Sequence, residues 1–126
     1  MGTPSKRILI IEDELPIRQV LRQELEKQNF SVYEAQNGEE GLGAALAQRP
    51  DLILLDIMMP KMHGIEVLDR LRKDSWGALV PVILLTNYAE DPRVRQAVDA
   101  GQCEMMEKEK VKLTDIIGRI RETLGM

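Results

Sequence analysis

The chain has 126 residues, a formal net charge of −4 and a pI near 5.1. That is room for one domain of the usual roughly 100 to 200 residues, without the basic field that sequence-independent binding to nucleic acid or anionic lipid requires. No run approaches the roughly 20 apolar residues of a membrane span, residues 1–6 lack an apolar signal segment, and the lone Cys103 excludes an internal disulfide or thiolate metal cluster.

A cytoplasmic protein is therefore expected, with a disordered lead-in over 1–6 and one domain over 7–126, contacting neither membrane nor nucleic acid. Hydrophobic residues make up 44% but aromatics only 3%, so its core must be built from Ile, Leu, Val, Ala and Met.

In chain order, Ile8 to Ile11 reads as a first strand and ends in Glu12-Asp13-Glu14. Pro16 near a first turn, then Ile17, Val20, Leu21 and Leu25, give a helix with one apolar stripe. Ser31 to Ala35 is the second strand; Asn37 followed by Glu40 resembles a capping box that opens a helix through Leu42, Ala45 and Leu46, stopped at Arg49-Pro50. Leu52 to Leu55 runs into Asp56, and Leu68 and Leu71 mark a weaker helical pattern after Gly64. Val80 to Leu85 leads into Thr86-Asn87, with a helix through Val94, Ala97 and Val98. Cys103 to Met106 runs towards Lys108, and Leu113, Ile116, Ile117, Ile120 and Leu124 form the last stripe, with Thr114 as its expected N-cap.

Three of these strands are nearly continuous in Ile, Leu and Val, as strands buried on both faces of a parallel sheet are. Strand and helix alternating five times imply right-handed crossovers and an α/β fold, a doubly wound five-stranded parallel sheet with helices on both faces.

In such a sheet, ligands bind beyond the carboxyl ends of the strands. Glu12 and Asp13, Asp56, Thr86 and Lys108 all follow strands there. Singly, each acidic residue would read as the N-cap of the next helix; five groups arriving together read as a site. Like charges about 4 Å apart cost on the order of 4 kcal/mol at an effective dielectric of 20, so the carboxylates call for a cation. Mg²⁺ is held by one or two carboxylates, waters and phosphate oxygens. A lysine ammonium and a threonine hydroxyl complete a pocket able to hold a phosphoryl group on a carboxylate.

The ordered set Glu12-Asp13, Leu54-Leu55-Asp56-Ile57-Met58-Met59-Pro60 with Gly64, Leu85-Thr86, and Ala100-Gly101 seven residues before Lys108 resembles the response-regulator receiver family over about the whole chain. The resemblance implies the flavodoxin-like strand order 2-1-3-4-5. It implies that Asp56 accepts a phosphoryl group from a histidine kinase, a phosphotransfer protein or a small phosphodonor. Asp13 and Asp56 would bind Mg²⁺ directly, Glu12 through water and Met58 through its backbone carbonyl. Lys108 would pair with the phosphoryl oxygens; Thr86 would hydrogen-bond one of them and shift on activation. Such a domain is a switch that assists chemistry on itself rather than an enzyme. It would signal through the face of its fourth helix, fifth strand and fifth helix, where a homodimer could form.

Three positions depart from the family pattern: Glu12 for the commoner aspartate, Met105 for a switching Tyr or Phe, and Glu109 for a proline in a cis bond. A non-proline cis peptide costs about 2.5 to 4 kcal/mol, so trans is expected. Lys110 would share a strand face with Lys108 if the extended backbone continued; Lys108 keeps the better spacing from Gly101 and is preferred. His63 reads as a surface residue without a partner, Cys103 as a small buried hydrophobe, and Met58 and Tyr88 as side chains flanking access to Asp56. Trp76 falls away from the site.

A flavodoxin-like flavin binder would place its phosphate loop at Glu12-Asp13-Glu14, where anions are repelled. A haloacid-dehalogenase-type phosphatase would carry a second aspartate where Met58 stands. The remaining alternative is a pseudo-receiver, an interaction module that signals without phosphorylation, suggested by the missing aromatic and proline. The receiver pattern fills the 126 residues and leaves no output domain within them.

Overall fold

A computed structural model describes residues 5–59 and 61–126; most of the expected lead-in (1–4) and Pro60, four residues after Asp56, lie outside the described residues. The five strands are β1 (Arg7–Ile11), β2 (Ser31–Ala35), β3 (Leu52–Asp56), β4 (Val82–Thr86) and β5 (Glu104–Glu107). They form one parallel sheet in the order β2-β1-β3-β4-β5. The helices are α1 (Leu15–Lys27), α2 (Gly38–Gln48), α3 (Gly64–Arg72), α4 (Pro92–Asp99) and α5 (Leu113–Thr123).

The strands expected from their continuous apolar runs occupy the three central positions. Because successive side chains point to opposite faces, each central strand feeds two cores. Leu9, Ile11, Ile53, Leu55 and Leu84 pack with Ala45 of α2, Leu68 and Leu71 of α3, and Val94 and Ala97 of α4. Ile8, Ile10, Leu52, Leu54, Ile83 and Leu85 pack with Leu21 and Leu25 of α1 and Ile116, Ile117 and Ile120 of α5. Truncating one such side chain, Leu54 for instance, to alanine costs about 2 to 5 kcal/mol.

Helix punctuation explains most boundaries. Asn37 accepts a hydrogen bond from the Glu40 amide at 2.8 Å, opening α2. Arg49 closes it in the left-handed region at φ 48°. Thr114 is not the N-cap of α5: the helix begins at Leu113 after Lys112, whose amide donates to Asp115 at 2.9 Å, so an acidic side chain reaching back from inside the helix defines the start. β4 begins at Val82 rather than Val80. Pro81 has no N–H to donate, although its carbonyl still accepts from the Ile53 amide at 3.0 Å. β5 lies one residue later than its apolar run, pairing Glu104 to Glu107 with Ile83 to Thr86. No helix among the described residues is long and apolar enough to cross a membrane.

Candidate functional site

Parallel register brings the acidic groups together. Ile11 of β1 pairs with Leu55 of β3, so the next residues, Glu12 and Asp56, stand side by side at the carboxyl end of the sheet. Carboxylate oxygens of Glu12, Asp13 and Asp56 all lie within 4.8 Å of one another. Glu12 is buried, Asp56 partly buried and Asp13 exposed.

One cation answers this cluster. Lys108, the residue after β5, donates from Nζ to Glu12 Oε1 at 2.6 Å and lies 3.5 Å from Asp56 Oδ1. Its backbone amide donates to the Thr86 carbonyl at 2.9 Å, so the β4 and β5 ends hold it in position. Lys110 does not join it. The chain turns after Glu107, and Lys110 pairs with that glutamate at 2.9 Å on the surface. Neighbouring Glu109 follows a trans bond, as no described peptide bond is cis.

Burial outweighs the lysine's attraction. It pushes the Glu12 carboxyl up to about 7, with Asp56 adding repulsion and Lys108 opposing it. Asp56 is likewise raised by burial, against the pull of Lys108 and of the Ile57 amide, which donates to Oδ1 at 2.9 Å. Lys108 is raised by its hydrogen bond to Glu12 and by both carboxylates, although burial alone would lower it. The carboxylates thus remain in surplus over the one ammonium. A set of hard oxygen donors in negative excess is what a small divalent cation satisfies, so the residues present fit Mg²⁺.

Thr86 is fully buried, and its Oγ1 accepts from the Tyr88 amide at 2.8 Å, leaving the hydroxyl proton free to be donated. Met58 and Tyr88 are 50% and 52% exposed. Gly64 explains how α3 comes so close to the end of β3: a Cβ there would lie 2.4 Å from the Asp56 carbonyl oxygen, where the Gly64 amide instead donates to the Ile57 carbonyl at 2.7 Å.

His63, read as a partnerless surface residue, has neighbours on two elements. Its Nδ1 accepts from the Ile65 amide at 3.1 Å, capping α3, and Nε2 lies 3.2 Å from the Arg93 guanidinium of α4. Burial and Arg93 lower its pKa. Cys103 is only half-buried and precedes β5. Met105 packs at the margin of the core that faces α2, α3 and α4. Arg18 on α1, which carries no motif, donates from Nη1 to the Glu12 carbonyl at 2.8 Å.

These features have close parallels. The family model for the response regulator receiver domain matches residues 8–121. The uncharacterized transcriptional regulatory protein YkoG of Bacillus subtilis is 42% identical over 117 residues, 93% of this chain and 50% of its own length. The phosphate regulon transcriptional regulatory protein PhoB of Pseudomonas aeruginosa is 33% identical over 95% of this chain and 52% of its own. A CheY-like receiver domain protein from Methanospirillum hungatei superposes with a TM-score of 0.84 at 30% identity, covering 96% of this chain and 94% of that one. The chain belongs to the response-regulator receiver family of two-component signalling. It spans about half the length of the curated relatives it matches.

Proposed function

We propose that this domain is a phosphorylation-dependent switch whose acceptor is Asp56. The reading is carried by one observation: among the described residues, Lys108 is the one side-chain cation within reach of both Glu12 and Asp56, in a cluster of three carboxylates. Asp13 and Asp56 would hold Mg²⁺ directly, with Glu12 through water and the Met58 carbonyl as a further ligand. The bound ion would supply charge neutralisation for an incoming phosphoryl group.

The chain's own groups account for the rest. An Asp56 carboxylate oxygen attacks phosphorus; the new O–P bond forms as the donor's bond to phosphorus breaks, and the electron pair leaves with the donor, a histidine imidazole or an acyl oxygen. Lys108 pairs with the phosphoryl oxygens, and the Thr86 hydroxyl, whose proton the Tyr88 contact leaves free, donates to one of them. A histidine kinase or phosphotransfer protein would be the donor, in the cytoplasm, and the α4, β5 and α5 face would carry the signal or a homodimer contact. The relatives are named as transcriptional regulators. A DNA-bound output would accordingly require residues outside this domain.

The test is intact mass after incubation with acetyl phosphate. A gain of one phosphoryl group is expected with Mg²⁺, none with excess chelator and none in Asp56→Asn. A second reading, a pseudo-receiver that signals unmodified, draws on Met105 and Glu109 in place of the family's aromatic and proline; absence of the mass gain with Mg²⁺ present would favour it.

A further inference from the structure

We infer that Arg18 is a positioning residue for the acidic pocket, holding the Glu12–Asp13 peptide in the orientation that aims Asp13 at the cation. The inference rests on the phosphoacceptor reading above. The turn leaving β1 has to present two adjacent carboxylates, and its backbone is gripped from three sides. The Glu12 amide donates to the Ala35 carbonyl of β2 at 3.0 Å, extending the ladder by one step. The Glu14 amide donates to Glu12 Oε2 at 3.1 Å. The third contact comes from α1, where Arg18 Nη1 donates to the Glu12 carbonyl at 2.8 Å. That carbonyl lies in the peptide plane joining Glu12 to Asp13, so fixing it fixes the positions of the Asp13 nitrogen and Cα, from which the side chain departs.

Arg18 is itself held. Its Nε donates to Glu34 Oε1 at 3.1 Å, and Glu34 also pairs with Arg22. The Arg18 side chain is only 12% exposed, and the planar guanidinium bridges two acceptors on different elements, which a lysine ammonium cannot match in geometry. The chain therefore runs from β2 through Glu34 and Arg18 to the peptide that carries Asp13.

Three roles for Arg18 predict different signs. As a packing residue only, its loss would lower thermal stability and leave Mg²⁺ affinity alone. As a local positive charge only, its loss would tighten Mg²⁺ binding, because a neighbouring cation repels another. As a positioning residue, its loss weakens Mg²⁺ binding by about tenfold, the lower end of what loss of an outer-shell partner costs a metal site.

Mg²⁺ alone is titrated into wild type, Arg18→Ala, Arg18→Lys and Glu34→Gln, following the amide shifts of Asp13 and Asp56, with thermal unfolding measured alongside. The expected order of weakening is Arg18→Ala most, then Arg18→Lys and Glu34→Gln. Combining Arg18→Ala with Glu34→Gln should weaken binding no further than Arg18→Ala does, since the two act in series. If Arg18→Ala does not fold, the Lys and Gln variants carry the test. Unchanged or tighter Mg²⁺ binding in folded variants, beside a wild type that binds, overturns the inference. A wild type without a saturable Mg²⁺ response overturns the cation reading itself, and the inference with it.

Discussion

At the amino end of the sheet the arginines are matched by carbonyls. Arg7 donates to the Gln48 and Arg49 carbonyls, each at 2.6 Å, closing the end of α2 onto β1. Arg72, the last residue of α3, donates to the Gly77, Val80 and Gln102 carbonyls at 2.5 to 3.0 Å, tying three chain segments together. At the carboxyl end three carboxyl groups cluster, two of them, Glu12 and Asp56, beside Lys108, and burial raises the pKa of both Glu12 and Asp56. One end uses charge to complete the fold. The other leaves charge in surplus, a cost to folding that a bound cation can offset.

The sharpest test of this contrast is Asp56→Asn. Labelling by acetyl phosphate should vanish entirely, while the thermal midpoint stays level or rises, because a desolvated carboxylate beside Glu12 has been removed. A midpoint that falls by several degrees would mean that the carboxyl end, too, is built for stability.

Arg72→Ala is the complementary change. It leaves the Gly77, Val80 and Gln102 carbonyls without their donor, and about 3 kcal/mol of stability should be lost in a urea titration. Asp56 should still be labelled in the folded fraction. Loss of labelling in a fully folded variant would show that the two ends are not separable.

Cys103 lines the same amino end, and burial pushes its thiol up from 9.0 to about 11. The folded protein thus holds this proton more tightly than the unfolded chain does. The stability this contributes is intact below pH 9 and is lost as pH rises through about 11. The thiolate fraction near pH 8 should be about ten- to a hundredfold lower in the native state. Iodoacetamide should accordingly alkylate native protein that much more slowly than urea-unfolded protein; equal rates would show an open thiol.

The smallest effect expected lies within the acidic cluster. Asp13→Ala should weaken Mg²⁺ binding more than Glu12→Gln does, since a direct ligand outweighs one acting through water. Amide shifts during a Mg²⁺ titration give both affinities, and a reversed order would exchange the two roles.

Much of this architecture was legible. The unbroken Leu and Ile of Leu52 to Leu55 suit a strand buried on both faces, and it lies at the centre of the sheet. Asn37 and Arg49-Pro50 marked the limits of α2 because a cap and a left-handed stop act within a few residues. Thr114 misled for a related reason: two polar side chains near one helix start compete, and the amide of Lys112 is met by Asp115 instead. His63 and Arg18 carried no signal. Their partners, Arg93 at 30 residues' separation for His63 and, for Arg18, Glu34 at 16 and a backbone carbonyl 6 residues back, follow no helix or strand period.

Local pattern alone determined which segments are strands and helices, and that the acidic residues, Asp56, Thr86 and Lys108 lie at or just past strand ends, because periodicity and strand ends are properties of short stretches of chain. Tertiary structure decided what those residues meet. The turn after Glu107 sends Lys108 inward and Lys110 to solvent, β1–β3 register sets Glu12 beside Asp56, and α1 packs so that Arg18 reaches the Glu12 carbonyl. Each depends on where a distant element is docked, which no window of sequence contains.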